Sequence, residues 1–234
     1  MFFELFKNVG GIIASPGQTL GKLMKEKKWL PVFLLILIVV GLYANMTLSS
    51  RMTRAAENPL ISQYFPGEQL VDFQENITLP RRVFITTAAF INIFLGFVVA
   101  AFMVYLFFGI GGSEGYYINF FALIVNASVI DTLLPLIRDA LSLVLNINLG
   151  HMTNLIVLFP ALKPLNLDFW FVSQVDLFYI WYLIAIAAGA AVFAKMSLKK
   201  SLFIAFLFFL LKSVVSAFSS YLGIKIITSM MAGG

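Results

Sequence analysis

The chain has 234 residues, of which 61% are hydrophobic and only 12% charged, about half the charge density of a water-soluble domain. It has no cysteine and one histidine, which excludes a disulfide framework, a thiolate metal site, a cysteine nucleophile and a multi-histidine metal centre. The net charge of +5 sits beside apolar blocks, where it reads as a topology signal and lipid-headgroup contact, whereas nucleic-acid binding would want a basic face on a soluble module. Several of those blocks reach the roughly 20 residues that a helix needs to cross the hydrocarbon layer. The expected fold is an all-α polytopic transmembrane helical bundle of five spans.

Residues 1–28 form a head in which Lys7, Lys22, Lys25, Lys27 and Lys28 outnumber Glu4 and Glu26. Phe2, Phe3, Leu5, Phe6, Val9, Ile12 and Ile13 recur at near-helical spacing up to Pro16-Gly17. That is the pattern of an amphipathic helix lying against the inner leaflet; a plain polar lead-in is the alternative. Lysines before a short apolar core also suit a signal peptide, but the head is long for one and is expected to stay attached. Span one covers 29–47, with Pro31 in its first turn, where a missing N–H is tolerated. Residues 48–82, with Pro59, Pro66, Gly67 and Pro80 and balanced charge, read as an extracytoplasmic loop whose first residues can continue span one. Asn76-Ile77-Thr78 there fits the glycosylation sequon, a tripeptide common by chance.

Span two covers 83–108 and span three 116–137, joined by a glycine-rich turn at 109–115. Residues 138–175 are too apolar for a free loop yet are broken by Gly150, Pro160 and Pro164. They read as an interfacial or partly re-entrant segment, with Phe169, Trp170 and Phe171 at the membrane edge. Span four covers 176–194 and span five 200–227. Five spans put the termini on opposite sides, so the head lysines share a side with Lys195, Lys199 and Lys200. The positive-inside rule makes that side cytoplasmic, although Arg81 and Arg82 weigh the other way. The expectation is a multi-pass protein of the cell's inner membrane, amino terminus cytoplasmic and carboxy terminus extracytoplasmic.

The order of features resembles the Yip1 domain membrane proteins, specifically their small bacterial branch. The residues that carry the likeness begin with Ile13-Ala14-Ser15-Pro16-Gly17-Gln18-Thr19-Leu20, leading to Lys28-Trp29-Leu30-Pro31. Gly111-Gly112-Ser113-Glu114-Gly115 before Phe120-Phe121-Ala122-Leu123 is similar to the turn that opens the family's third span, and Asn126-Ala127-Ser128-Val129-Ile130 with Leu133-Leu134-Pro135 to its continuation. The most specific piece is Asp176-Leu177-Phe178-Tyr179-Ile180-Trp181, followed by Gly189 and Ser197-Leu198-Lys199-Lys200-Ser201. The likeness covers nearly the whole chain and implies five spans with a cytoplasmic amino terminus. Eukaryotic relatives act in vesicle traffic beside Rab GTPases through a long hydrophilic amino-terminal region. That region is not in this sequence, and the Rab role is not expected here.

Membrane enzymes leave recognisable polar sets, and this chain shows none. One histidine, His151, rules out His-Glu-x-x-His, and no serine near it has the flanking pattern of an intramembrane serine protease. Asp131 and Asp139 are eight residues apart, unlike the clustered carboxylates of paired-metal lipid synthases. The 109–115 turn lacks the Lys-Ser/Thr of a phosphate loop. The expectation is therefore a protein without enzymatic activity, catalytic residues, metal or cofactor.

Polarity inside the spans is the remaining signal. Ala88, Asn92, Gly96 and Ala100 form a small-residue stripe on span two, and Ala185, Ala187, Ala188, Gly189, Ala190 and Ala191 crowd span four; such faces allow close helix contact. Lys212 lies near the centre of span five, with Ser216, Ser219, Ser220 and Gly223 on the same face. An ammonium in hydrocarbon marks either a buried ion pair or a wet path. The candidate intramembrane polar site is Asp131, Lys212, Asn126, Asn92 and Ser216. Asp131 lies about 22 Å along its helix and Lys212 about 18 Å along its own, counted from the same face, so the two are expected to approach each other if their helices are neighbours, with Arg138 as a rival partner for Asp131. The expected role is an accessory or scaffold subunit in membrane transport or membrane organisation, with membrane lipids and either a second copy or a transporter complex as partners. The alternative is a carrier or channel for a small solute or lipid, lined by these polar residues.

Overall fold

The computed structural model describes residues 2–57, 79–145, 153–162 and 166–232. The expected loop is thus described only at its edges, and His151 and the 76–78 sequon lie outside the described residues. In chain order the elements are α1 (Phe2–Ala14), α2 (Pro16–Glu26), α3 (Leu30–Glu57), α4 (Leu79–Ile110) and α5 (Tyr117–Ser128). A π turn (Val129–Leu133) then leads into α6 (Leu134–Leu145), followed by a 3-10 turn (Leu155–Leu158), α7 (Leu167–Ser173), α8 (Leu177–Ala194) and α9 (Leu198–Ala232). Segments Arg82–Ile110, Tyr117–Ser142, Leu177–Ala194 and Leu198–Gly223 are each long and apolar enough to cross a membrane. The pair Pro16–Glu26 and Leu30–Asn45, bent by 112°, makes up to a fifth. The chain is an all-α polytopic bundle.

α5 stands at its centre. Every residue from 119 to 130 is buried, and Phe120, Phe121, Leu123, Ile124 and Val125 are apolar on all sides, as an inner helix requires. Around it, α4 and α9 turn Leu95, Val99 and Phe102, and Phe203, Phe206 and Val214, outward. So large an apolar exterior suits lipid, not water.

The head holds a second helix beyond the apolar run that ends at Pro16-Gly17. It breaks at Ser15, with Pro16 opening α2 at the one helical position that suits proline. α2 does not lie free: Leu20, Leu23 and Met24 are buried because its small residues let it sit directly on α8. A Cβ at Gly21 would come 2.6 Å from Val192 Cγ1, and one at Gly189 would come 2.7 Å from Leu20 Cβ. Only α1 keeps exposed aromatic residues, Phe3 and Phe6, while its Ile12 is buried. The apolar face read between Phe2 and Ile13 thus lies on α1, whereas α2 is packed on α8.

The elbow between α2 and α3 is held by α5. Lys27 turns into the left-handed region at φ 54°, and the Lys27 and Lys28 N–H groups donate back to Met24 O and Leu23 O, a common way to end a helix. The Met24 carbonyl accepts from Asn119 Nδ2 at 2.8 Å, and Asn126 Nδ2 donates to Lys28 O and to Ala122 O, both at 2.7 Å. Seven residues separate the two asparagines, so they share a face of α5. Trp29 meets Phe121 edge-on at 5.0 Å, and the Lys28 ammonium bridges Glu26 at 2.9 Å and Glu4 at 3.6 Å.

The third span outruns its expected end at 137, staying apolar enough to cross a membrane as far as Ser142 and helical to Leu145. Arg138 can stay in the helix because its charge is matched there. It bonds Asp139 at 2.9 Å and Asp176 at 3.3 Å and donates to the Thr153 hydroxyl. Thr153 in turn donates to Asp176 Oδ2 at 2.7 Å, while Asp176 Oδ1 caps α8 by accepting from Phe178 N at 2.8 Å. This network joins α6, the 153–158 segment and the start of α8. Phe169, Trp170 and Phe171 lie on α7, with Phe169 and Trp170 edge-to-face at 5.2 Å.

Candidate functional site

Pro135 shapes the site. In an unbroken helix its ring would press on the carbonyl of residue 131, and it has no N–H to offer. The chain inserts a π turn instead, with Leu134 N donating to Val129 O. Such single wide turns within α-helices recur at functional sites. This one carries Asp131, which is partly buried and accepts from the Thr132 hydroxyl at 3.3 Å. Ser128, just before the turn, is buried and gives its proton to Ile124 O at 2.7 Å.

Lys212 comes to the same level from α9. Its stem is exposed on the bundle surface, and its ammonium lies 4.1 Å from the centroid of the Tyr179 ring, a cation–π contact in which a long stem carries the charge inward. Tyr179 is wedged against Tyr182 at 5.5 Å and Phe209 at 5.6 Å, and its hydroxyl is buried with no partner among the described residues. Asp131 is within electrostatic reach of Lys212, Tyr179 and Tyr182. The two charges nevertheless do not close an ion pair: among the described residues no carboxylate lies within 4.0 Å of the Lys212 ammonium.

A groove of about 370 Å³ lies between α4 and α9, with this lysine midway along its α9 wall. Gly96, Val99, Ala100 and Met103 form one wall, and Phe208, Leu211, Val215 and Ser216 join Lys212 on the other. Nothing lies within 4 Å of where a Cβ on Gly96 would stand. An apolar groove of this kind, with a cation on one wall, can hold an amphipathic anion or an acidic helix face.

Of the five residues singled out in the sequence, Asp131, Lys212 and Ser216 share this region. Asn126 does not; it faces the α2–α3 elbow. Asn92 is exposed on α4, one turn from Gly96. Arg138, the rival partner of Asp131, is engaged by Asp139 and Asp176. Of the small-residue faces, that of α8 is filled by the chain's own α2, while Ala88, Asn92 and Gly96 remain exposed. Tyr179 and Tyr182 were missed because tyrosines near a span end look like ordinary interfacial anchors. The available signal was Pro135 four residues after an intramembrane aspartate.

No protein-family model matches the chain, and neither do any of the curated proteins or solved structures compared with it.

Proposed function

We propose that the chain is a non-enzymatic, Yip1-like protein of the cell's inner membrane, serving as an accessory or scaffold subunit in membrane transport or membrane organisation. The observation that supports this best is the α4–α9 groove, an apolar cleft with Lys212 on one wall, between two helices that turn large apolar side chains outward. A site so placed engages something already in the bilayer. Its apolar walls supply contact, and a lysine with no carboxylate within 4.0 Å among the described residues supplies selectivity for an anion. The resemblance in 13–31 and 176–201 is the support for the family. A photoreactive amino acid at Val215, irradiated in native membranes, should capture one defined molecule, whereas the same group at outward-facing Phe203 or Leu106 should report bulk lipid. Identical adducts at all three positions would refute a working site in the groove.

The carrier reading draws on the same place, favoured by Asp131 and the buried Tyr179 hydroxyl behind Lys212. It requires net movement of a solute or lipid in proteoliposomes, which an accessory subunit alone would not give.

For orientation we propose a cytoplasmic amino terminus and an extracytoplasmic carboxy terminus, supported by the lysines of the head and of the 195–200 turn. Reporter fusions after Lys200 and after Gly234 should give opposite sidedness; the same side for both would mean that the stretch between them does not cross and that the count of five spans is wrong.

A further inference from the structure

We infer that the α4–α9 groove binds a long-chain fatty acid, its hydrocarbon chain along the apolar walls and its carboxyl group against the Lys212 ammonium. The inference rests on the reading of that groove as the working site and names its occupant. Size comes first: about 370 Å³ suits one acyl chain, whereas a helix with its side chains is about 10 Å across. Polarity comes next. Along the groove only Lys212 and Ser216 carry polar side chains, four residues apart and so on one helical face. They offer an ammonium with three donors and a hydroxyl at one place on an otherwise apolar surface, the pattern that an amphiphile with one small head matches.

Depth selects the head group. Lys212 stands 14 residues beyond Leu198, hence about 21 Å along α9 and past the middle of a hydrocarbon layer about 30 Å thick. A carboxylic acid enters hydrocarbon in its neutral form, whereas a phosphodiester keeps its charge and must carry the cost of leaving water. The ammonium can accept this guest because Tyr179 covers only one side of it and Asp131 approaches without closing on it. A second copy docked symmetrically in the groove would set Lys212 against Lys212, which is repulsive in a medium of low dielectric constant.

The full chain in phosphatidylcholine nanodiscs is to be irradiated with palmitic acid bearing a diazirine. Labelling should saturate, map to residues 96–103 and 208–216, and be competed by palmitate but not by methyl palmitate. Lys212→Met should lower labelling about tenfold, equivalent to ~1.4 kcal/mol, while Lys212→Arg retains it and Gly96→Phe, filling the open space, abolishes it. Should Lys212→Met fail to fold, Lys212→Arg and Gly96→Phe still decide the matter. Equal competition by methyl palmitate, stronger competition by lysophosphatidic acid, or undiminished labelling in a folded Lys212→Met protein overturns the fatty-acid assignment. If Val215 instead captures a transmembrane polypeptide or a second copy, the fatty acid is wrong and the groove still works. If Val215 reports only bulk lipid, the groove itself is not the site.

Discussion

At the head end of the central span, Asn119 and Asn126 give their amide protons to the carbonyls of Met24, Lys28 and Ala122, and Leu20 is locked against Gly189. Further along the same span, Asp131 and Lys212 sit within reach of each other without pairing, and the Tyr179 hydroxyl has no partner among the described residues. Both regions put polar groups into a nonaqueous bundle. In one the amide donors are consumed by backbone carbonyls, although Asn126 Oδ1 has no partner among the described residues; in the other, charge is left beside an open groove. The first arrangement is what stability demands. The second holds a cost that packing has not removed, and such residues are where binding is to be sought.

The comparison can be broken first at the α2–α8 contact. Leu20→Ala empties a fully buried site and should cost about 3 kcal/mol, read as a lower midpoint of unfolding in detergent. It should also open the head to protease. An unchanged midpoint and an intact head would mean that α2 contributes nothing to the bundle.

Asn126→Leu comes next. It removes both amide donations and strands the Lys28 carbonyl, for a loss of about 2 kcal/mol in the same assay. A stability equal to that of the parent would show water already serving the elbow.

At the other region a double-mutant cycle sharpens the contrast. Lys212→Met and Asp131→Asn should each lower stability, and the pair should recover about 1 kcal/mol, well below the 3–5 kcal/mol lost on breaking a closed buried pair. A coupling at the upper figure would mean that the ion pair shuts in the membrane and Lys212 is not available to a ligand. The smallest effect is expected at Asn92→Leu. It is exposed on α4 and should stay within about 0.5 kcal/mol of the parent; a larger loss would place a hydrogen-bonding neighbour on that face.

Much of the architecture is local and therefore legible in the chain. Runs of apolar residues near bilayer length identify spans whatever they pack against, because every backbone group in hydrocarbon must be satisfied within its own helix. Pro16 and the 109–115 glycines, with Gly112 at φ +82°, stop helices by backbone geometry alone. Lys212 stands out in the sequence because a charge in a long apolar run is improbable without a use. Pairing is not local. Sequence put the aromatic face of the head on the leaflet, and only the bundle shows that Gly21 and Gly189 bring α2 onto α8. Asn126 looked like a companion of Asp131, five residues away, but with α5 placed it faces the elbow instead. Asp131 and Lys212, set by helix counting at similar depth, were expected to meet. Depth follows from rise per residue, whereas whether two side chains close depends on the turn that Pro135 forces and on the Tyr179 ring against which the Lys212 ammonium lies, and those are properties of the assembled bundle.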